Sequence, residues 1–133
     1  MLDHVPVYLT YSGRNCEAVL QTMEALLRGG YGLACECMLP YCKDPAAQTK
    51  RMIEMVAKDG FVVAVITDDA ADCEYLRRDL QWALDAKAKM LTIVVENAAL
   101  PVLLEGCRVC RVSEFPTESE MSAVMAAADM LKK

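Results

Sequence analysis

One carboxylate stands out by where it falls. Asp79 lies three residues after Leu76 and four before Ala83, within the apolar stripe Leu76, Leu80, Ala83 and Leu84 of a predicted helix. Helix positions three and four apart share a face, so Asp79 flanks the buried side and its carboxylate is expected to be partly desolvated. Such a group can stabilise positive charge that develops in a transition state. As an ordinary surface acid it would instead pair within its helix, near Arg78 or the turn of Lys87. A second candidate is the turn Ser12-Gly13-Arg14 after the first apolar run. Backbone N–H groups of such a Ser/Gly turn before a helix can cradle a phosphate. Arg14 could add a guanidinium or stay solvated, and Ser12 could bond a ligand hydroxyl or cap the helix. Tyr8 and Tyr11 offer aromatic faces, but three residues apart on a strand they point to opposite sides. Glu36 could shape a pocket or simply pair with a basic side chain. Trp82 reads as packing, with a partner interface as the minority reading. Asp68, Asp69 and Asp72 suggest a cation site or, more simply, acids that favour a helix N-terminus.

Composition removes several classes of chemistry. The single histidine, His4, nearly rules out Ser-His-Asp chemistry, Cys-His proteases and a multi-histidine metal site, all of which need an imidazole near the reacting group. Fourteen basic against nineteen acidic residues give a net charge of −5, a poor match to nucleic acid. Seven cysteines, an odd number, include the pairs Cys35/Cys37 and Cys107/Cys110. The first pair has the wrong spacing for a four-ligand zinc site, and free thiols packed as small apolar groups are the better reading. No apolar run approaches a membrane span and no signal peptide is visible, so a cytosolic protein without membrane insertion is expected.

The elements that must position these residues follow from periodicity. Strand-like runs cover residues 5–11, 31–39, 61–67, 90–95 and 109–112. Between them lie helical stripes: Val19, Leu20, Met23, Leu26 and Leu27; then Met52, Ile53 and Val56; then the Asp79 helix. The last helix carries Met121, Val124, Met125, Ala128 and Leu131. Asp44-Pro45 reads as an N-cap with proline at N1, Asp72 as the cap of the third helix, and Thr117/Glu120 as a capping box. Gly29-Gly30 and Gly60 end helices. Alternating strands and helices predict one α/β domain over residues 1–133: a flavodoxin-like doubly wound five-stranded parallel sheet, order 2-1-3-4-5, with helices on both faces. Function is then expected outside the carboxyl ends of the strands, near residues 12–15, 40–45 and 68–73.

In that frame the chain resembles a Toll/interleukin receptor (TIR) domain along nearly its whole length. VPVYLTYSGRN is similar to the family's box 1, and GGYGLACECMLP to its second strand, with Glu36 where an aspartate is usual. MLPYCKDP stands at the BB loop. DCEYLRRDLQWAL is similar to the family's Trp-Cys-x-x-Glu-Leu pattern, with Tyr75, Leu76, Asp79 and Leu80 at the matching places. Phe115 lies near the aromatic of the third box.

The resemblance implies self-association and contact with other TIR domains through a loop of Leu39, Pro40, Tyr41, Cys42, Lys43, Asp44 and Pro45. It also implies one of two activities. The first, to which this reading leans, is cleavage of NAD+ to nicotinamide and ADP-ribose or a cyclic variant, in innate-immune or cell-death signalling. Asp79 would be the catalytic carboxylate and Tyr11, Ser12, Arg14, Glu36 and Tyr75 the substrate contacts, with no cofactor or metal. Asp79 is one methylene shorter than the family's glutamate, and a displacement near ~1 Å can cost on the order of 100-fold in rate. The second activity is a non-catalytic interaction module. A flavodoxin-type FMN domain is a minor alternative: TYSGRN could hold the phosphate, but TDDAADC and ENAALP supply no aromatic to stack on the ring.

Overall fold

The computed structural model describes residues 4–12, 16–34 and 44–132. The chain begins with β1 (Pro6–Tyr11), α1 (Glu17–Arg28) and β2 (Gly32–Ala34), followed by α2 (Pro45–Asp59) and β3 (Phe61–Ile66). It continues with α3 (Glu74–Asp85), β4 (Lys89–Val95), β5 (Arg108–Val112) and α4 (Glu118–Leu131). Every strand pairing is parallel, and the order is β2-β1-β3-β4-β5. β1 therefore sits between β2 and β3, with Val7 in register with both Leu33 and Phe61.

Strand alternation divides the core into two layers. Val7, Leu9, Phe61, Val63, Val65, Leu91 and Ile93 face α1 and α4. Tyr8, Val62, Ala64, Ile66, Met90 and Val94 face α2 and α3. All six residues of β3 are buried, as expected for a central parallel strand covered on both sides. The expected caps form at two helices. The Asp44 side chain accepts from the Ala47 N–H at 3.2 Å, with Pro45 opening α2, and Thr117 and Glu120 make a reciprocal capping box. Gly60 ends α2 where the chain passes under β1. A Cβ there would lie 1.7 Å from the Pro6 carbonyl oxygen.

Three expectations are corrected. Leu20 and Leu27 of α1 are 51% and 55% exposed, because the buried face is Ala18, Val19, Thr22 and Leu26. One residue further along a helix is a rotation of ~100°, enough to carry both leucines out to solvent. Asp72 does not cap α3: residues Ala70–Asp72 form a 3₁₀ turn, and Cys73 takes the cap position. Ser12 does not cap α1 either, since Cys16 is the N-cap and makes no side-chain cap bond. The link from β4 to β5 carries a short 3₁₀ turn, Val102–Leu104. Among the described residues no helix is long and apolar enough to cross a membrane.

Candidate functional site

The Asp79 site is built from one strand and one helix. In PVYLTY, residues 8 and 10 point the same way, toward the α2/α3 layer. On α3 the buried positions are Leu76, Asp79, Leu80 and Ala83, so the carboxylate lies within the packed stripe rather than beside it. Asp79 is 3% exposed. The Thr10 hydroxyl donates to its Oδ2 at 2.9 Å, and the Tyr8 hydroxyl approaches the same oxygen at 3.4 Å. Arg78 donates to Oδ1 from Nε at 3.2 Å and from Nη2 at 3.0 Å. Both oxygens of a buried carboxylate are thus supplied with donors, which is what its burial requires.

Arg78 is held from its outer side as well. Its guanidinium lies 5.1 Å from the Tyr75 ring centre and 4.7 Å from that of Trp82. These residues stand three before and four after Arg78, the spacing that brings helix side chains together. Tyr75 is 65% exposed. With Asp44, Pro45 and Ala46, Tyr75 and Arg78 line an open groove of about 490 Å³ between the start of α2 and α3. Asp79 is not in its wall. The guanidinium stands there, with the carboxylate behind it.

A second cluster ties the carboxyl ends of β1 and β3 at the point where the sheet order reverses. The Ser12 hydroxyl lies 2.7 Å from Thr67 Oγ1 and donates to Asp69 at 2.6 Å, and the Thr67 hydroxyl also bonds Asp69. Ser12 is buried and serves to join two loops. Tyr11 is half-buried against the α1/α4 layer, on the opposite side of the sheet from Asp79. The structure thus brings Tyr75 and Asp79 onto one helix beside Asp44 and Pro45, but does not bring Tyr11 or Ser12 to Asp79. Arg14, Glu36, Leu39, Pro40, Tyr41, Cys42 and Lys43 lie outside the described residues. Tyr8, Thr10, Thr67 and Asp69 are partners that the sequence did not assign, since it pointed to Tyr8 for its aromatic face and to Asp69 within an acidic trio, and to Thr10 and Thr67 not at all. The alternation of PVYLTY carries the signal for the first two, while the last two need the sheet order.

A cavity of about 360 Å³ opens at the ends of β3 and β4, lined by Cys16, Thr67, Asp68, Glu96, Asn97 and Glu114 among others. Among the described residues, its three carboxylates would repel an FMN phosphate and its wall offers no aromatic to stack on a flavin, so these residues do not fit that cofactor. Cys107 and Cys110 are half-buried free thiols, and burial raises the pKa of both. Among the described residues no group of three metal-binding side chains comes together.

No family model matches this sequence, and no curated protein does. Among solved structures, the chain is similar to the TIR domains in the activated Roq1 resistosome directly recognizing the pathogen effector XopQ. The TM-score is 0.60 at 17% identity, over 69% of this chain and 58% of that one. At that identity the likeness is one of fold: five parallel strands in the order 2-1-3-4-5, arranged as in a TIR domain.

Proposed function

We propose that this chain is a TIR-type signalling domain that works by assembling with other TIR-type domains, including copies of itself, through residues 39–45 and adjoining helix surfaces. The observation behind this reading is the state of Asp79. Its carboxylate is 3% exposed and engaged by Tyr8, Thr10 and Arg78, whereas the surface beside residues 44–46 offers an exposed Tyr75 and a stacked Arg78. Tyrosine and arginine are the residue types that anchor protein interfaces. The similar structure is itself an assembly, a resistosome, which supports the same reading by analogy of fold. Innate-immune or cell-death signalling is the context this suggests.

NAD+ cleavage is the second reading, and a specific observation favours it. Arg78, which lines the groove, is bonded directly to Asp79. With Arg78 turned away, the carboxylate would face a space lined by Tyr75 and Asp44. There it could stabilise the positive charge that builds on the ribose as the bond to nicotinamide breaks, before water adds to give ADP-ribose.

The test incubates concentrated protein with NAD+ and follows nicotinamide release beside light scattering. Mass that rises with concentration and no release is the expected result. Release that disappears in Asp79→Ala, with the fold verified by circular dichroism, moves the assignment to the second reading. An inert chain that stays monomeric overturns both.

A further inference from the structure

We infer that α1 of one copy packs antiparallel on α2 of the next, joining copies of this chain head to tail. The inference rests on the assembly reading above and names the surfaces that would carry it.

α1 exposes an acid, an apolar residue and an acid: Glu17, Leu20 and Glu24, at offsets 0, 3 and 7. α2 exposes a base, an apolar residue and a base: Arg51, Met55 and Lys58, at offsets 0, 4 and 7. Each triplet lies along one stripe of its helix and spans about 10.5 Å at ~1.5 Å per residue. Read in the reverse direction, the second set has offsets 0, 3 and 7. An antiparallel pair therefore sets Lys58 on Glu17, Met55 on Leu20 and Arg51 on Glu24. A parallel pair would set Glu54 on Leu20 and Met55 on Gln21, leaving both apolar side chains against polar ones.

The two apolar residues lack cover in the single chain: Leu20 is 51% and Met55 64% exposed. On the other flank of Glu17 and Glu24, a groove of about 370 Å³ between α1 and α4 is lined also by Glu118 and Arg28. The triplets cannot meet within one molecule, because α1 and α2 cover opposite faces of the sheet. A contact between two different surfaces repeats from copy to copy and grows an open chain unless its rotation closes a ring. Glu24 already pairs with Arg28, but both are well exposed, and an exposed pair exchanges partners at little cost. One helix pair is a small contact, so the association should be weak, concentration-dependent and sensitive to salt.

The test is sedimentation equilibrium at low salt on wild type, Glu17→Lys/Glu24→Lys, Arg51→Glu/Lys58→Glu, and the chain carrying all four changes. All four sites are exposed, and circular dichroism confirms that each variant is folded. The wild-type average mass is expected to rise without a plateau at the dimer. Each double variant is expected to weaken association on the order of tenfold, and the fourfold exchange to restore it. Wild-type association in either double variant, or no recovery in the fourfold exchange, overturns the inference and leaves the assembly reading to residues 39–45. A plateau at the dimer means a closed, symmetric contact and also overturns it. A wild type that stays monomeric overturns both readings.

Discussion

Removing the Asp79 carboxylate tests whether the site is built as described. Asp79→Ala leaves the Thr10 and Tyr8 hydroxyls and two Arg78 nitrogens without their acceptor. Breaking a buried pair by removing one partner costs about 3–5 kcal/mol. Arg78 keeps 22% side-chain exposure against 4% for Asp79, so water can recover part of its hydration and the lower figure, about 3 kcal/mol, is the better expectation. At roughly 3–4 °C per kcal/mol for a domain of this size, the Tm should fall by about 10 °C. Asp79→Asn should cost less, about 2 kcal/mol. The amide oxygen can serve Arg78, while its N–H₂ meets hydroxyls that can turn to accept. The assay is urea unfolding followed by circular dichroism, with the denaturant slope checked for constancy across variants. An Asp79→Ala change within ~0.5 kcal/mol of wild type, the range of an ordinary surface substitution, would refute the buried network. The size of this effect is also why activity of an Asp79 variant carries meaning only when its fold is verified.

Gly60→Ala should destabilise by at least about 3 kcal/mol in the same assay, because the new Cβ would meet the Pro6 carbonyl oxygen at 1.7 Å and a backbone carbonyl cannot swing aside as a flexible side chain can. Glu120 makes an acid-dependent contribution. Bonds from the Thr117 and Ser113 N–H groups and hydroxyls hold its carboxyl below the ordinary 4.5. A folded pKa below the unfolded one stabilises above the unfolded value, and the gain is lost as pH falls through the folded value. The Tm gap between wild type and Glu120→Gln should therefore be full at pH 7 and close as the solution is acidified below about 4.5. A gap that stays constant in that range would refute the assignment. Cys107 and Cys110, whose pKa values burial raises, should alkylate more slowly at pH 7 than a free thiol of ordinary pKa, read by mass spectrometry of iodoacetamide-treated protein.

The order of the elements was legible because it rests on local signals, and the strand order followed from matching that alternation to the doubly wound pattern. FVVAVI is continuous and β-branched, Asp44-Pro45 caps one helix, and Thr117 and Glu120 cap another; each depends on residues within one turn or one strand. The place of Asp79 on the inner side of α3 was legible for the same reason, since helical periodicity alone puts residue 79 with Leu76 and Ala83. The partners were not. That Tyr8 and Thr10 meet Asp79 depends on β1 lying under α3, which is a matter of sheet order and layer. A pairing near Arg78 was among the sequence readings, but for a surface acid, not a buried one. The turn of Arg78 toward Asp79 is set by stacking between Tyr75 and Trp82. Ser12 looked like a helix cap because the sequence shows only the helix that follows it. The structure also shows Thr67 and Asp69, more than fifty residues away, at hydrogen-bond distance. Leu20 and Leu27 read as core because an apolar stripe does not state which of its edges the sheet will cover. The sequence by itself determined which segments are strands and helices, because backbone propensity, capping and periodicity act over a few residues. Which carboxylate is sealed, which leucines stay outside and which loops are tied together were decided only by the packing of distant segments, because those contacts exist only once the sheet has formed.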